Sequence, residues 1–306
     1  MLTYALRRLA GAVPTFFVIV AASFFLIRLA PGGPFDQARR LPPAIEANLR
    51  RAYHLDDPLA LQFARYVGGL LRGDFGPSFK YHDFSVTELI WGGLPASMTL
   101  GLGAMLIAVL AGVAIGLTAA LKRNARTDHL IMAGAMTGII VPSFVVAPLL
   151  SLVFGIYLGV LPVGGWRTAA SAVLPIVTLA LPQIAIIARL TRASAIEVLG
   201  SAFVRTARAK GLPEPVVMLR HVLKPALLPV LSYLGPATAG ILTGSVVVEQ
   251  IFGIPGVGRY FVQGSLNRDY TLVMGVVVLY ASLIILFNLA VDLLYRVLDP
   301  KLGAAP

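Results

Sequence analysis

Six apolar stretches constrain this chain more than any other feature: Leu9–Ile27, Ala96–Leu121, Leu130–Leu158, Val173–Ala188, Ala226–Phe252 and Leu272–Leu294. About twenty apolar residues in a helix cover the hydrocarbon core of a bilayer. Five of the runs meet that length, and Val173–Ala188 sits near its lower limit. The sequence therefore predicts an all-α membrane protein, a bundle of six transmembrane helices. Hydrophobic residues at 58% and charged residues at 13% exclude an ordinary soluble domain. The mean hydropathy of +0.84 agrees. Leu9–Ile27 is long for the apolar core of a signal peptide, and Arg28-Leu-Ala-Pro31 offers no small-x-small cleavage site, so it reads as a retained first helix.

The net charge of +11 suggests nucleic acid only until the basic residues are located. They flank the apolar runs, which is the pattern that membrane topology produces. With the N-terminus inside, fourteen Lys and Arg between Arg7 and Lys301 fall in cytoplasmic segments. The short outer loops then hold only Arg167, Arg259 and Arg268. Both termini are therefore expected in the cytoplasm. The absence of cysteine excludes a disulfide framework, a thiolate metal site and a cysteine nucleophile.

Three regions follow. Residues 1–30 form the first membrane helix with its cytoplasmic N-terminus, 31–95 an external amphipathic helical region, and 96–306 a five-helix core with a loop at 189–225. In the external region, Ile45, Leu49, Ala52 and Tyr53 share one helical face. Phe63, Tyr66, Val67 and Leu70 share another, after an Asp57-Pro58 start. Ser85-x-x-Glu88 is a capping box.

Within the spans, the Gly112/Gly116, Gly134/Gly138 and Gly240/Gly244 pairs offer close helix packing. Pro142, Pro148, Pro175, Pro182, Pro229 and Pro236 offer kinks. Three polar residues at membrane depth are candidates for a pathway or gate: Glu249, Gln183 and Asn288. Each also has a structural reading. Glu249 would pair with Arg259 or Arg268, and the two amides would bond between helices. Asp292 and Arg296, four residues apart, read as a local ion pair.

No catalytic or metal-binding pattern emerges. His54, His82, His129 and His221 are scattered, with no HExxH pair and no GxSxG elbow. The glycine-rich Phe252–Arg259 lacks the spacing of a phosphate cradle and reads as a turn or re-entrant segment. With no Walker A sequence, a pump built on this chain would take its force from another polypeptide.

Ser201–Pro225 is the stretch where force would enter. It carries Arg205, Arg208, Lys210, Arg220 and Lys224 against the single acid Glu214. Ser201 is placed to cap a short helix, Gly211 to end it in the left-handed conformation, and Pro213 and Pro215 to open another. Such a basic elbow suits docking onto a soluble partner. A loop made basic by topology alone is the other reading.

Arg205-Thr-Ala-Arg-Ala-Lys-Gly-Leu212, followed by Leu219-Arg-His-Val-Leu-Lys-Pro-Ala-Leu-Leu-Pro229, resembles the coupling loop of ATP-binding-cassette (ABC) importer permeases of the peptide group. The motifs Arg28-Leu-Ala-Pro-Gly32, Gly73-Asp-Phe-Gly-Pro-Ser78, Glu249-Gln-Ile-Phe-Gly-Ile-Pro-Gly256 and Asn267-Arg-Asp-Tyr270 resemble the B-type permeases of oligopeptide importers. Arg205 stands where the general motif has glutamate, so no acidic contact from this position is carried over.

The resemblance implies a type I importer permease in the bacterial inner membrane. It would pair with a second, different permease, two ATPase subunits that bind ATP and Mg, and an external substrate-binding protein. Arg205, Thr206, Ala207, Arg208, Ala209, Lys210, Gly211 and Leu212 would form the ATPase contact. The chain itself would hold no cofactor, perform no chemistry and bind no nucleic acid, and would move oligopeptides inward. A permease for dipeptides or another solute is the alternative within the group. An autonomous secondary transporter is disfavoured by the lack of a convincing internal repeat.

Overall fold

The computed structural model describes residues 2–29, 51, 54–81 and 83–298. The amphipathic face through Ile45, Leu49, Ala52 and Tyr53, and His82, lie outside them. So does the side chain of Arg296. The described residues are almost entirely helical. A single bridge between Pro77 and Ser85 is their one strand-like pairing.

Among the described residues, four helices are long and apolar enough to span: Arg8–Leu29, Val86–Leu121, Ala169–Leu199 and Tyr270–Leu294. Two further runs are bent pairs, Arg126–Ile140 with Ser143–Tyr157 at 101° and Glu214–Ala226 with Leu228–Gly244 at 51°. Counting each bent pair once gives six.

The third run is therefore not the single helix that its hydrophobicity predicts. Proline disfavours the helical conformation in the residue before it. Val141 accordingly takes φ −89° and ψ 117°, and Pro142 at φ −60° and ψ 144° opens a new helix in a new direction. The fifth run also breaks, at Leu227 and again at Ser245.

In chain order the helices are α1 (Leu2–Leu29), α2 (Leu59–Leu70), α3 (Val86–Leu121), α4 (Arg126–Ile140) and α5 (Ser143–Leu150). There follow α6 (Val173–Leu199), α7 (Ala202–Ala209), α8 (Glu214–Ala226), α9 (Leu228–Gly244), α10 (Val246–Phe252), α11 (Val257–Leu266) and α12 (Tyr270–Leu298). The chain divides into two compact units. One comprises Met98–Ile254 and the chain from Leu286 onward, the other Leu2–Ser97 and Pro255–Ile285.

In the unit of Leu2–Ser97 and Pro255–Ile285, Val20 and Phe24 of α1 meet Met274 and Val278 of α12. The expected face of α2 closes over them through Phe63, Tyr66 and Leu70. Asp57 does not cap α2. Pro58 itself occupies the cap position, and Asp57 takes Arg65 as an ion-pair partner instead.

The capping box at α3 is fully formed. Ser85 N donates to Glu88 Oε2 at 2.8 Å, and Glu88 N donates to Ser85 Oγ at 3.2 Å. It starts α3 at Val86, ten residues ahead of the apolar run.

At the start of α12, Asp269 is fully buried. It accepts hydrogen bonds from Ser78 Oγ (2.5 Å), Lys80 N (3.1 Å), Thr271 Oγ1 (3.0 Å) and Leu272 N (3.1 Å). The Leu272 bond is an N-cap. The Ser78 and Lys80 bonds join two motifs far apart in the chain.

In the other unit, α6 is the hub on which α4, α5 and α9 pack. Of the glycine pairs, Gly112 and Gly116 seat α3 against α6. A Cβ on Gly116 would lie 2.5 Å from the Ala188 carbonyl oxygen, and one on Gly112 2.8 Å from Ile187 Cβ. Gly138 is equally tight against Leu181, whereas Gly134, Gly240 and Gly244 face open space. Spacing alone does not separate these cases.

Candidate functional site

The segment after α6 folds as a backed elbow. Val204 and Ala207, three apart on α7, bury against Val217, Met218 and Val222 of α8, with Ala195 of α6 and Ala120 of α3. Full burial of a valine side chain contributes roughly 1.5–3 kcal/mol, enough to hold a two-turn helix that would be marginal alone.

Gly211 ends α7 as expected. Its φ of +76° lies in the left-handed region, which costs a residue with a Cβ about 1–2 kcal/mol. Gly211 N donates to Arg208 O at 2.9 Å and Leu212 N to Ala207 O at 3.4 Å, the paired bonds of a Schellman cap. The other end differs from expectation. Ser201 holds the cap position by its backbone, but its side chain makes no capping bond.

Seven of the eight residues proposed for the partner contact are exposed: Arg205, Thr206, Arg208, Ala209, Lys210, Gly211 and Leu212. Ala207 faces inward at 5% exposure and supports the surface rather than joining it. Phe203 and Leu219, exposed at 50% and 66%, add apolar contact area that the basic motif does not announce.

Arg208 closes the elbow through a two-point contact with Glu214, Nε to Oε2 at 3.1 Å and Nη2 to Oε1 at 2.5 Å. These hydrogen bonds, and then the Arg208 charge, hold the Glu214 carboxyl below its usual range. Both groups are water-exposed, so the pair fixes geometry more than it stabilises the fold. It also consumes the elbow's single acid, and Arg205 and Lys210 remain as exposed cations.

A second feature lies deeper in the same unit. A cavity of about 440 Å³ opens between α6 and α9, lined by Thr178, Pro182, Gln183, Tyr233, Pro236 and Gly240 among others. Tyr233 Oη donates to Gln183 Oε1 at 2.5 Å across it. Pro182 and Pro236 cannot donate a backbone N–H, which leaves the carbonyls of Thr178 and Ser232 without their helical partners. No charged side chain lines the cavity.

Of the three pathway candidates, only Gln183 lines this space. Glu249 is fully buried and accepts a hydrogen bond from Ser245 Oγ at 2.7 Å. Asn288 is half-buried beside Gly235, where a Cβ would come within 2.7 Å of Asn288 Oδ1.

An interaction absent from the sequence reading joins α4 to α6. Arg192 Nε donates to Asp128 Oδ1 at 2.7 Å and Nη2 to Oδ2 at 2.6 Å. Asp128 is only 1% exposed and also accepts from Asn124 N at 3.0 Å. The first acid after a basic turn, Arg123-Asn-Ala-Arg-Thr-Asp128, was the available signal.

Comparison with known proteins places these features in context. Residues 112–304 match the family of binding-protein-dependent transport system inner membrane components. Residues 1–100 match the N-terminal region of binding-protein-dependent transport system membrane components. The oligopeptide transport system permease protein OppB of Salmonella typhimurium is 55% identical over 304 residues, 99% of each chain. That of Haemophilus influenzae is 52% identical over the same span. The dipeptide transport system permease protein DppB of Bacillus subtilis is 42% identical, covering 99% of this chain and 98% of its own. Among solved structures, the inward-facing MetNI methionine ABC transporter aligns with a TM-score of 0.57 at 16% identity. It covers 69% of this chain and 97% of the matched chain, and at that identity it speaks for the fold alone.

Proposed function

This chain belongs to the family of binding-protein-dependent transport system inner membrane components, and from that premise we propose that it is the permease subunit of an ATP-driven importer of oligopeptides. The oligopeptide relatives, at 55% and 52% identity, stand closer than the dipeptide relatives at 42% and 38%. That gap favours longer peptides.

The observation that carries the mechanism is the α7–Gly211–α8 elbow. It is stiffened by its Schellman cap and its buried underside, and it presents Arg205 and Lys210 with Phe203, Leu212 and Leu219 outward. A surface of this kind suits the groove of a soluble ATPase. Two ATPase subunits, carrying ATP and Mg, would press on this elbow and on its counterpart in a second permease. This chain would hold no nucleotide.

ATP would shift the inward-open and outward-open states because it binds the closed ATPase pair preferentially. An external binding protein would deliver the peptide. The charge distribution supports cytoplasmic termini and a cytoplasmic elbow. The cavity at Gln183 and Tyr233 supports a pathway segment that offers neutral hydrogen-bonding groups and little selection by charge.

The test is uptake of labelled tetra-alanine into proteoliposomes holding the complete importer. ATP-dependent accumulation supports the reading. Accumulation driven by an ion gradient without ATPase subunits contradicts it.

A further inference from the structure

The unit formed by Leu2–Ser97 and Pro255–Ile285 contains a pocket that none of the roles above uses. Its volume is about 540 Å³, and Tyr81, Phe84, Leu89, Gly92, Arg259 and Tyr260 line it together with Glu88 and Gln263. That volume is within the ordinary range of small-ligand sites.

The walls are braced. Tyr81 Oη donates to Gln263 Oε1, and the Tyr81 and Tyr260 rings meet edge to face with centroids 6.2 Å apart. Val257 N donates to Ser97 Oγ at 2.9 Å, which fixes the start of the helix that carries Arg259.

Arg259 is the unusual group. Its guanidinium lies over the Tyr260 ring at 4.7 Å from the centroid, and Nη2 donates to Tyr260 Oη at 2.9 Å. Its Nε is buried and has no hydrogen-bond partner. Among the described residues, no carboxylate pairs with it. A half-buried cation of this kind ordinarily carries a counter-ion, because leaving it unpaired costs solvation that a ring face returns only in part. Glu88 on the rim is exposed and already accepts from Ser85 N and Ser85 Oγ, so water screens its repulsion of an incoming anion.

We propose that this pocket binds the C-terminal carboxylate of the peptide substrate, with Arg259 as its anchor and the walls of Phe84, Leu89 and Tyr81 holding the last side chain. A planar guanidinium matches a carboxylate at two points, and the aromatic and aliphatic walls suit the body of an amino-acid residue better than a bare inorganic anion. The proposal rests on the oligopeptide reading given above.

The test compares uptake of tetra-alanine with uptake of its C-terminal amide by the complete importer in proteoliposomes, at saturating binding protein. Arg259→Gln is expected to slow the free acid about tenfold relative to wild type and to leave the amide within about twofold. Gly92→Val supplies an independent arm. Gly92 lines the pocket and a Cβ there meets nothing within 4 Å, so a larger side chain narrows the pocket without a clash at its first carbon. This variant is expected to assemble normally and to slow the free acid.

Unchanged acid uptake by either variant overturns the proposal. Equal slowing of acid and amide by Arg259→Gln also overturns it, and is the result expected if the carboxylate belongs to a side chain of the binding protein. Failure of the wild-type importer to accumulate either peptide would instead sink the oligopeptide reading itself.

Discussion

Arg192 of α6 holds both carboxylate oxygens of Asp128 on α4, at 2.7 and 2.6 Å, although 64 residues separate them in the chain. Asp128 is sealed from solvent while Arg192 keeps 27% exposure. Removing one member of such a pair leaves the other buried without compensation, at about 3–5 kcal/mol for a fully enclosed pair. Because Arg192 keeps some water, Asp128→Asn is expected to cost about 3 kcal/mol, the low end of that range. Thermal unfolding of the purified importer measures it, and Asp128→Asn combined with Arg192→Gln is expected to recover part of the loss. An unchanged melting temperature in the single variant would show the pair to be inert.

The Gly211 turn gives a prediction about coupling. Proline at this position cannot adopt φ +76° and lacks the N–H that bonds Arg208 O. Gly211→Pro is expected to leave the subunit in the membrane and to abolish peptide uptake while ATP hydrolysis persists. Charge reversal at Lys210 is expected to weaken ATPase association. Normal ATP-driven uptake by Gly211→Pro would contradict the role given to the elbow.

Helix packing separates the glycine pairs. Gly116→Val is expected to destabilise by about 1–3 kcal/mol or more, because its Cβ would meet the Ala188 carbonyl oxygen at 2.5 Å. Gly134→Ala, which faces open space, is expected to be neutral within about 0.5 kcal/mol. Expression level and detergent stability of the two variants provide the comparison.

Asp269 ties the Gly73–Ser78 motif to the start of α12, and the four hydrogen bonds that it accepts fall together on substitution. Asp269→Ala is expected to cost about 2–3 kcal/mol, combining a lost cap with stranded donors. Limited proteolysis is expected to open first between Gly73 and Tyr81. Wild-type protease resistance in that stretch would show that other contacts hold it.

Local features were legible in the sequence, and distant pairings were not. The Ser85/Glu88 box, the left-handed Gly211 and the apolar face of α2 each follow from residues within about a turn or two of one another, where backbone geometry dictates the partner. Asp128–Arg192 and Ser78–Asp269 join residues 64 and 191 positions apart, and no local period encodes that meeting. The bend at Val141-Pro142 exceeds what the sequence predicts because the apolar run continues unbroken through it, and hydropathy is blind to backbone direction. The cavity at Gln183 was half visible. The polar residue stood out, but its Tyr233 partner depends on how α6 packs against α9.

The central claim is that a separate ATPase grips the elbow of α7 and α8 from the cytoplasm. Because the chain has no cysteine, Lys210→Cys gives it a single thiol. The decisive measurement is crosslinking of that thiol to amines of neighbouring subunits in native membranes, with a short reagent carrying one maleimide and one amine-reactive ester. The account predicts one adduct with a nucleotide-hydrolysing subunit, altered in yield by ATP, and no labelling by a membrane-impermeant maleimide added outside. Ready labelling from outside, with no ATPase adduct under any nucleotide condition, would contradict it.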